Sequence, residues 1–472
     1  MKEIHLLKRM AYALMSGPSR QTYDPHRPQW HLSPMVGLLN DPNGFVQHKG
    51  RYHLFYQWNP QACAHGAKFW GHWSSADLVH WRHEPVALVP AESYESHGCY
   101  SGSAVVDNDT LALIYTGNVK YDDGSRTAYQ CLARANDDGE FDKAGPVLSL
   151  PEGYTGHVRD PKVWRHQDHW YMVLGAQDVD LQGKVLLYRS PDLLQWHSLG
   201  EIAGSRLNGL GDFGYMWECP DLFALENHDV LICCPQGLPA EEERYLNTHQ
   251  SGYFIGSLDY DTGRFTHQAF HELDLGFEFY APQTTLSEDE DGRRLLFGWM
   301  GVPDQNEFFQ PTIAHGWIHT MTCPRELTLH NERIYQQPAR ELQSLRHLEH
   351  LWQGVANYAP ALPASSAELV LDTQGEFQID FAGVMVLCWD GERLTLSRRN
   401  RRTNEPEHRY WRDGLLHHLQ ILCDRSSVEI FINHGQAVMS SRYFPTSDAM
   451  VSFSGSGRIT LQHWLLAPCV IE

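Results

Sequence analysis

Residues 36–60 read VGLLNDPNGFVQHKGRYHLFYQWNP, in which the polar cluster Asn40-Asp41-Pro42-Asn43-Gly44 precedes the apolar, aromatic run 52–57. Runs of the same kind recur at 111–117, 171–176, 230–235 and 295–300, each closed by polar or glycine-containing turns, the pattern of short β-strands. Their central residues Tyr56, Tyr115, Leu174 and Cys233 follow one another at 59 residues, and the fifth, near Gly298, comes 65 residues later. The segment DLVHW at 77–81 is echoed by DLLQW at 192–196, close to two periods further on. One four-stranded propeller blade takes roughly 40 to 60 residues, so five periods predict an all-β chain whose residues 23–336 form a five-bladed β-propeller.

Polar clusters keep the same period. Tyr100-Ser101-Gly102-Ser103, Arg159-Asp160-Pro161, Trp217-Glu218-Cys219-Pro220-Asp221 and Tyr280-Ala281-Pro282-Gln283 follow the first at steps of 58 to 62 residues. Taken singly, Asp-Pro and Asn-Gly are turn signals. Taken together, they recur at one phase, and equivalent positions of propeller blades converge on the central axis, so five clusters predict one site.

The period stops near residue 336. Leu342, Leu345, Leu348 and Leu351, at steps of three, predict a helical linker over 337–355. Beyond it, alternating runs at 368–371, 377–381, 394–397, 427–433 and 437–443 predict a β-sandwich over 356–472, whose scattered acids suggest no chemistry. Ahead of the propeller, Leu6, Leu7, Met10 and Leu14 predict a short amphipathic helix within residues 1–22 that docks on the body.

Composition narrows the function. The 472 residues are 42% hydrophobic and 20% charged, the balance of a folded globular protein. Lys plus Arg number 37 against 58 Asp plus Glu, a net charge of −21 that repels nucleic acid and anionic lipid, so neither is an expected partner. Ten cysteines without a CxxC read as reduced core residues, and the apolar run 10–15 is too short for a secretory leader; both point to the cytoplasm. The 28 histidines form no HExxH or His/Cys spacing, so neither a metal nor a cofactor is expected. The expected site then holds three carboxylates, Asp41, Asp160 and Glu218, with Arg159 and several aromatics, the equipment of sugar chemistry.

These motifs closely resemble glycoside hydrolase family 32, the β-fructofuranosidases, over nearly the whole chain. The family's NDPNG, SGS, RDP, ECP and YAPQT elements stand at 40–44, 101–103, 159–161, 218–220 and 280–284, in order, and YHLFYQWNP at 52–60 is similar to the bacterial branch that acts on sucrose 6-phosphate. The resemblance implies the propeller and sandwich just derived, and a retaining mechanism. Asp41 would be the nucleophile and Glu218 the acid and base, their carboxyls ~5 to 5.5 Å apart. Asp160 would bind fructose hydroxyls, oriented and kept ionised by Arg159, and crowding among the acids would raise the Glu218 pKa. Asn40, Gln57, Ser101 and Tyr280 would bind sugar, with Trp70, Tyr100 and Trp299 walling the fructose pocket. Where the family often places Trp-Met before Asn-Asp, this chain has Leu38-Leu39.

A sugar phosphate would need cations at the glucose end, for which Lys68 and His65, Lys120 and Arg126, and Arg244 are candidates. The implied reaction is hydrolysis of sucrose 6-phosphate to glucose 6-phosphate and fructose. Hydrolysis of free sucrose or short fructans by the same residues, and sugar binding without catalysis, are the alternatives. The sequence leaves the oligomeric state open.

Overall fold

The computed structural model describes residues 2–16, 23–287, 289–446, 448–469 and 471. Five antiparallel sheets stand around one axis, and their innermost strands are Gly37–His48, Cys99–Asp107, Tyr154–His166, Met216–Leu225 and Tyr280–Thr284. The periodic apolar runs are the second strand of each blade: Arg51–Asn59, Thr110–Lys120, His169–Asp178, His228–Gln236 and Arg294–Trp299. They read as nearly unbroken apolar stretches because both faces are covered by neighbouring blades. Phe55 of blade one clusters with Tyr115 of blade two, and Ile114 of blade two with Met172 of blade three.

The echo DLVHW and DLLQW folds alike in blades one and three. Asp77 Oδ1 accepts from the amides of Val79 (3.0 Å) and His80 (2.7 Å), and Asp192 Oδ1 from those of Leu194 and Gln195 (both 2.9 Å). Leu78 and Leu193 sit at φ 62° and 66°. Trp81 and Trp196 each donate their indole N–H to the carbonyl of that leucine.

The ring is closed by chain from its far end. Trp317–Ile318 pairs in parallel with Gly37 and Leu38 at the start of blade one, and the Gly37 amide donates to the Gly316 carbonyl at 2.8 Å. Leu38, in place of the family's aromatic, is fully buried in this seam.

Residues 337–355 are not a helix. Arg340–Leu345 makes a short 3-10 turn that buries Leu342 and Leu345, and Arg346–Val355 is an edge strand of the sandwich. Leu348 and Leu351 are 71% and 61% exposed, and a bulge with Leu348 at φ 50° interrupts the pairing. Leucines at steps of three thus fitted one 3-10 turn followed by a bulged edge, and only their first half faces a core.

The N-terminal α-helix, Lys2–Met15, docks through Ile4, Leu7, Lys8, Ala11 and Met15, whereas Leu6 and Leu14 face out. Tyr12 accepts from the Val86 amide at 3.0 Å and Lys8 pairs with Glu140. Residues 17–22 of the expected segment lie outside the described residues. Among the described residues no helix is long and apolar enough to cross a membrane, and no two cysteines are joined in a disulfide.

Two six-stranded sheets make the sandwich, one ending in Ser427–Ile432 and Ala437–Arg442, which face the propeller. Its scattered acids have a purpose there. His31 donates to Asp424 (3.0 Å) and Glu429 (2.8 Å), and Arg325 pairs with Glu429 (2.6 Å) and Asp274 (3.1 Å), all fully buried. Glu278 receives Arg398 (2.7 Å), Arg401 (2.9 Å) and the Arg442 amide (2.8 Å).

Burial alone would raise Glu278 and Glu429, yet the facing arginines outweigh it and hold both at about 2. Their stabilisation is complete above the ordinary value of 4.5 and is lost as pH falls toward 2. Burial opposes the His31 charge too, but its two carboxylates win and raise it above 6.5, so its contribution is lost as pH rises through that raised value. Calorimetry should therefore find Tm falling steeply below about pH 4.5. Arg325→Leu, which leaves Glu429 and Asp274 without this cation, should cost about 3–5 kcal/mol in denaturant unfolding.

Candidate active site

Each innermost strand is irregular at its polar cluster. Pairing with the second strand slips between Leu39 and Pro42, Tyr100 and Gly102, Arg159 and Lys162, Glu218 and Asp221, and Tyr280 and Gln283. In three blades the residue ahead of the proline takes positive φ: Asp160 at 67°, Cys219 and Ala281 both at 48°. A proline at this position cannot donate to the ladder, and a bulge re-aims the neighbouring side chain. In blade two Gly102 stands where the others have proline; a Cβ there would lie 2.0 Å from the Ile114 carbonyl oxygen. The clusters consequently turn toward the axis at one level.

Three acids meet there. Asp41 accepts from Asn40 Nδ2 at 3.1 Å on one oxygen and from the Ser101 hydroxyl on the other. Asp160 Oδ2 accepts from the Cys219 amide at 2.9 Å, and the Asp160 amide donates to Thr116 Oγ1 at 3.1 Å. The Cys219 thiol spans the two aspartates, 3.8 Å from Asp41 and 3.6 Å from Asp160. Donor atoms of Asp41, Asp160 and Cys219 lie within 4.8 Å of one another, a spacing a cation would also accept, but hydrogen bonds already engage the two carboxylates.

Glu218 is held by four donors. Arg159 gives Oε1 two hydrogen bonds at 2.9 and 2.5 Å, while the Tyr280 hydroxyl (2.7 Å) and Gln236 Nε2 (2.8 Å) reach Oε2. This corrects two expectations. Arg159 makes its hydrogen bonds to Glu218 rather than to Asp160. Burial would raise Glu218, but the Arg159 charge and these hydrogen bonds leave it below its ordinary value. Asp160 instead rises to about 7, through burial first and the Glu218 charge second, with Arg159 only partly opposing. Burial and the Glu218 charge likewise raise Asp41, against Ser101 and Lys68.

The other expected residues divide. Gln57 is buried and donates to the Cys99 carbonyl at 3.4 Å; Trp70 is buried behind Tyr100, donating to its carbonyl at 3.0 Å. Trp299 is buried edge-on to Tyr280 and His319. Of the cation candidates, Arg126 lies at the Glu218 end: its Nη1 and Arg159 Nη1 both donate to His157 Nδ1, at 3.3 and 2.8 Å, and its guanidinium lies 5.9 Å from the Tyr100 ring centre. Arg126 Nη2 donates to Asn118 Oδ1 at 2.5 Å, and its buried Nε has no hydrogen-bond partner among the described residues. Burial and the two guanidiniums hold His157 at about 4. Lys68 is not at that end; it is buried beside Asp41, donating to Asn40 Oδ1 at 2.7 Å and to His65 Nδ1 at 2.8 Å. Arg244 belongs to a groove facing the sandwich, with Tyr245 and Glu241 as its partners.

Sequence reasoning missed Gln236, His157 and Glu307. Gln236 ends a second strand and His157 sits two residues before a motif, where phase alone gives no signal. Glu307 lies in an aperiodic insertion.

Comparison with known proteins agrees with this geometry. The family model "Glycosyl hydrolases family 32 N-terminal domain" matches residues 31–338, and "Glycosyl hydrolases family 32 C terminal" matches 390–464. The sucrose-6-phosphate hydrolase of Salmonella typhimurium is 57% identical over 98% of this chain and 97% of its own. Among solved structures, the β-fructofuranosidase of Bombyx mori superposes with a TM-score of 0.89 at 36% identity, covering 99% of this chain and 100% of that one. The sucrose-6-phosphate hydrolase of Lactobacillus gasseri gives 0.89 at 31% identity, covering 98% and 97%. A propeller carrying these motifs on its inner strands, a sandwich behind it and likeness along the full length together establish that the chain belongs to glycoside hydrolase family 32.

Proposed function

We propose that this chain is a retaining β-fructofuranosidase that cleaves sucrose 6-phosphate into fructose and glucose 6-phosphate. The observation that carries it is the meeting of Asp41 and Glu218 at one axial site, each with its oxygens fixed by donors from different blades. Asp41 attacks the fructosyl anomeric carbon while Glu218 protonates the departing glucosyl oxygen; a water activated by Glu218 then releases fructose from the Asp41 ester. Asp160, whose second carboxylate oxygen carries no hydrogen bond among the described residues, takes fructose hydroxyls.

Proton placement follows from the same cluster. Near neutral pH the three acids keep a proton on the aspartate side, since Arg159 favours the Glu218 charge. Substrate hydroxyls donating to Asp41 and Asp160 favour their ionised forms, which moves the proton to Glu218 for the first step. Arg159 favours the ionised Glu218 that the second step needs as base.

Charge supports the phosphate. Arg126 and Arg159, bridged by the neutral His157 that accepts from both, form a cationic rim on the Glu218 side, where the leaving group departs, and the Arg126 fork suits an oxyanion. The names of the Salmonella and Lactobacillus relatives point the same way.

Asp41→Asn and Glu218→Gln should each lower turnover by about a thousandfold or more with the fold intact by circular dichroism. Arg126→Ala should cut kcat/KM on sucrose 6-phosphate by roughly 10- to 100-fold, the worth of a charged hydrogen bond, and leave sucrose hydrolysis nearly unchanged; equal losses on both sugars would remove Arg126 from phosphate recognition. Tyr280→Phe deletes a hydrogen bond that stabilises ionised Glu218, so the basic limb of the kcat/KM profile should move up by about one pH unit.

A further inference from the structure

The buried cation beside Asp41 belongs to a longer chain of oriented groups. Charged Lys68 has only protons to give, so its contact with His65 Nδ1 then fixes that nitrogen as the acceptor and leaves the proton on Nε2. His65 Nε2 donates to Glu307 Oε2 at 3.1 Å. Glu307 is 4% exposed, on the short turn Glu307–Phe309, and its Oε2 also accepts from His319 Nε2 at 3.0 Å. Gln310 Nε2 donates to His319 Nδ1 at 3.1 Å, and Gln310 Oε1 accepts from Arg442 of the sandwich at 3.3 Å. Toward the site, Lys68 donates to Asn40 Oδ1, and Asn40 Nδ2 donates to Asp41 Oδ1. Each donor and acceptor from Arg442 to Asp41 has one permitted direction.

We propose that Glu307 is a positioning residue for Asp41, acting through His65 and Lys68 to orient the Asn40 amide and to keep a positive charge beside the nucleophile. The inference rests on Asp41 being the nucleophile. Glu307 touches no reacting atom; its carboxylate answers Lys68, which has no direct acidic hydrogen-bond partner among the described residues.

Around Lys68 stand Asp41, Glu307 and His65; around Asp41 stand Lys68, Glu218, Asp160 and Cys219. Burial pulls Lys68 down to about 7 even with Asp41 and Glu307 supporting its charge. Removing the Glu307 charge therefore discharges Lys68 at neutral pH, Asp41 loses the cation that favours its ionised form, and its protonation moves to higher pH.

The experiment is the kcat/KM profile on sucrose and sucrose 6-phosphate for the full chain. Glu307→Gln should move the acidic limb up by about one pH unit and lower kcat on that limb by up to about tenfold, with KM little changed. Glu307→Asp should recover part of the loss. Lys68→Met should show the same shift, and Glu307→Gln added to Lys68→Met should cost nothing more, because both act through one chain. Should Glu307→Gln fail to fold, His65→Gln, whose ring is 40% exposed, breaks the same link and should give the same shift. Acidic limbs that stay in place, or losses that multiply in the double variant, overturn the proposal. Absence of turnover in the unmodified chain would instead overturn the functional reading.

Discussion

Burying three carboxylates around one axis is the condition the rest of the molecule is built to satisfy. Two unit charges 4.8 Å apart, the span that includes Asp41 and Asp160, repel by about 3.5 kcal/mol at an effective dielectric constant of 20. Arg159 answers on one side and Lys68 on the other, so the cluster is flanked by cations rather than neutralised at its centre. Asymmetry follows. The acid facing Arg159 stays charged, while the aspartates bear the cost of burial, and this difference gives chemically similar groups distinct tasks.

Much of this was legible in the sequence because a propeller writes its geometry as a spacing. Tyr56, Tyr115, Leu174 and Cys233 announced the blades, and the clusters at the same phase announced the convergence of Asp41, Asp160 and Glu218. What the spacing could not carry was direction. Arg159 adjoins Asp160 in the chain, but on a bulged strand neighbours can point apart, and the guanidinium crosses to the next blade. Lys68 read as a loop charge for a phosphate because burial is invisible in a short polar stretch. The leucine triplets misled for a local reason: a period of three suits a 3-10 turn, and a bulged edge strand can continue it without burying anything.

The sandwich illustrates a different limit. Asp424 and Glu429 look incidental among alternating strand residues, yet each is fully buried against His31, and Glu429 also against Arg325 of the propeller. Buried ion pairs are poor sources of net stability, but they tolerate few alternative alignments, so they fix how one module sits on the other. Arg442 lies in the same interface and touches Gln310, which sets the far end of the chain leading to Lys68.

Closure of the ring by Trp317–Ile318 against Gly37 and Leu38 has a consequence for biosynthesis. The strand bearing Asp41 leaves the ribosome about 280 residues before its seam partner, an interval of roughly 15 seconds to one minute at ordinary elongation rates. Throughout that interval the nascent first blade has an unpaired edge, and the acids on the later blades have no common axis to meet at. Catalytic competence is therefore acquired late and all at once, and the open edge is where a chaperone would be needed most.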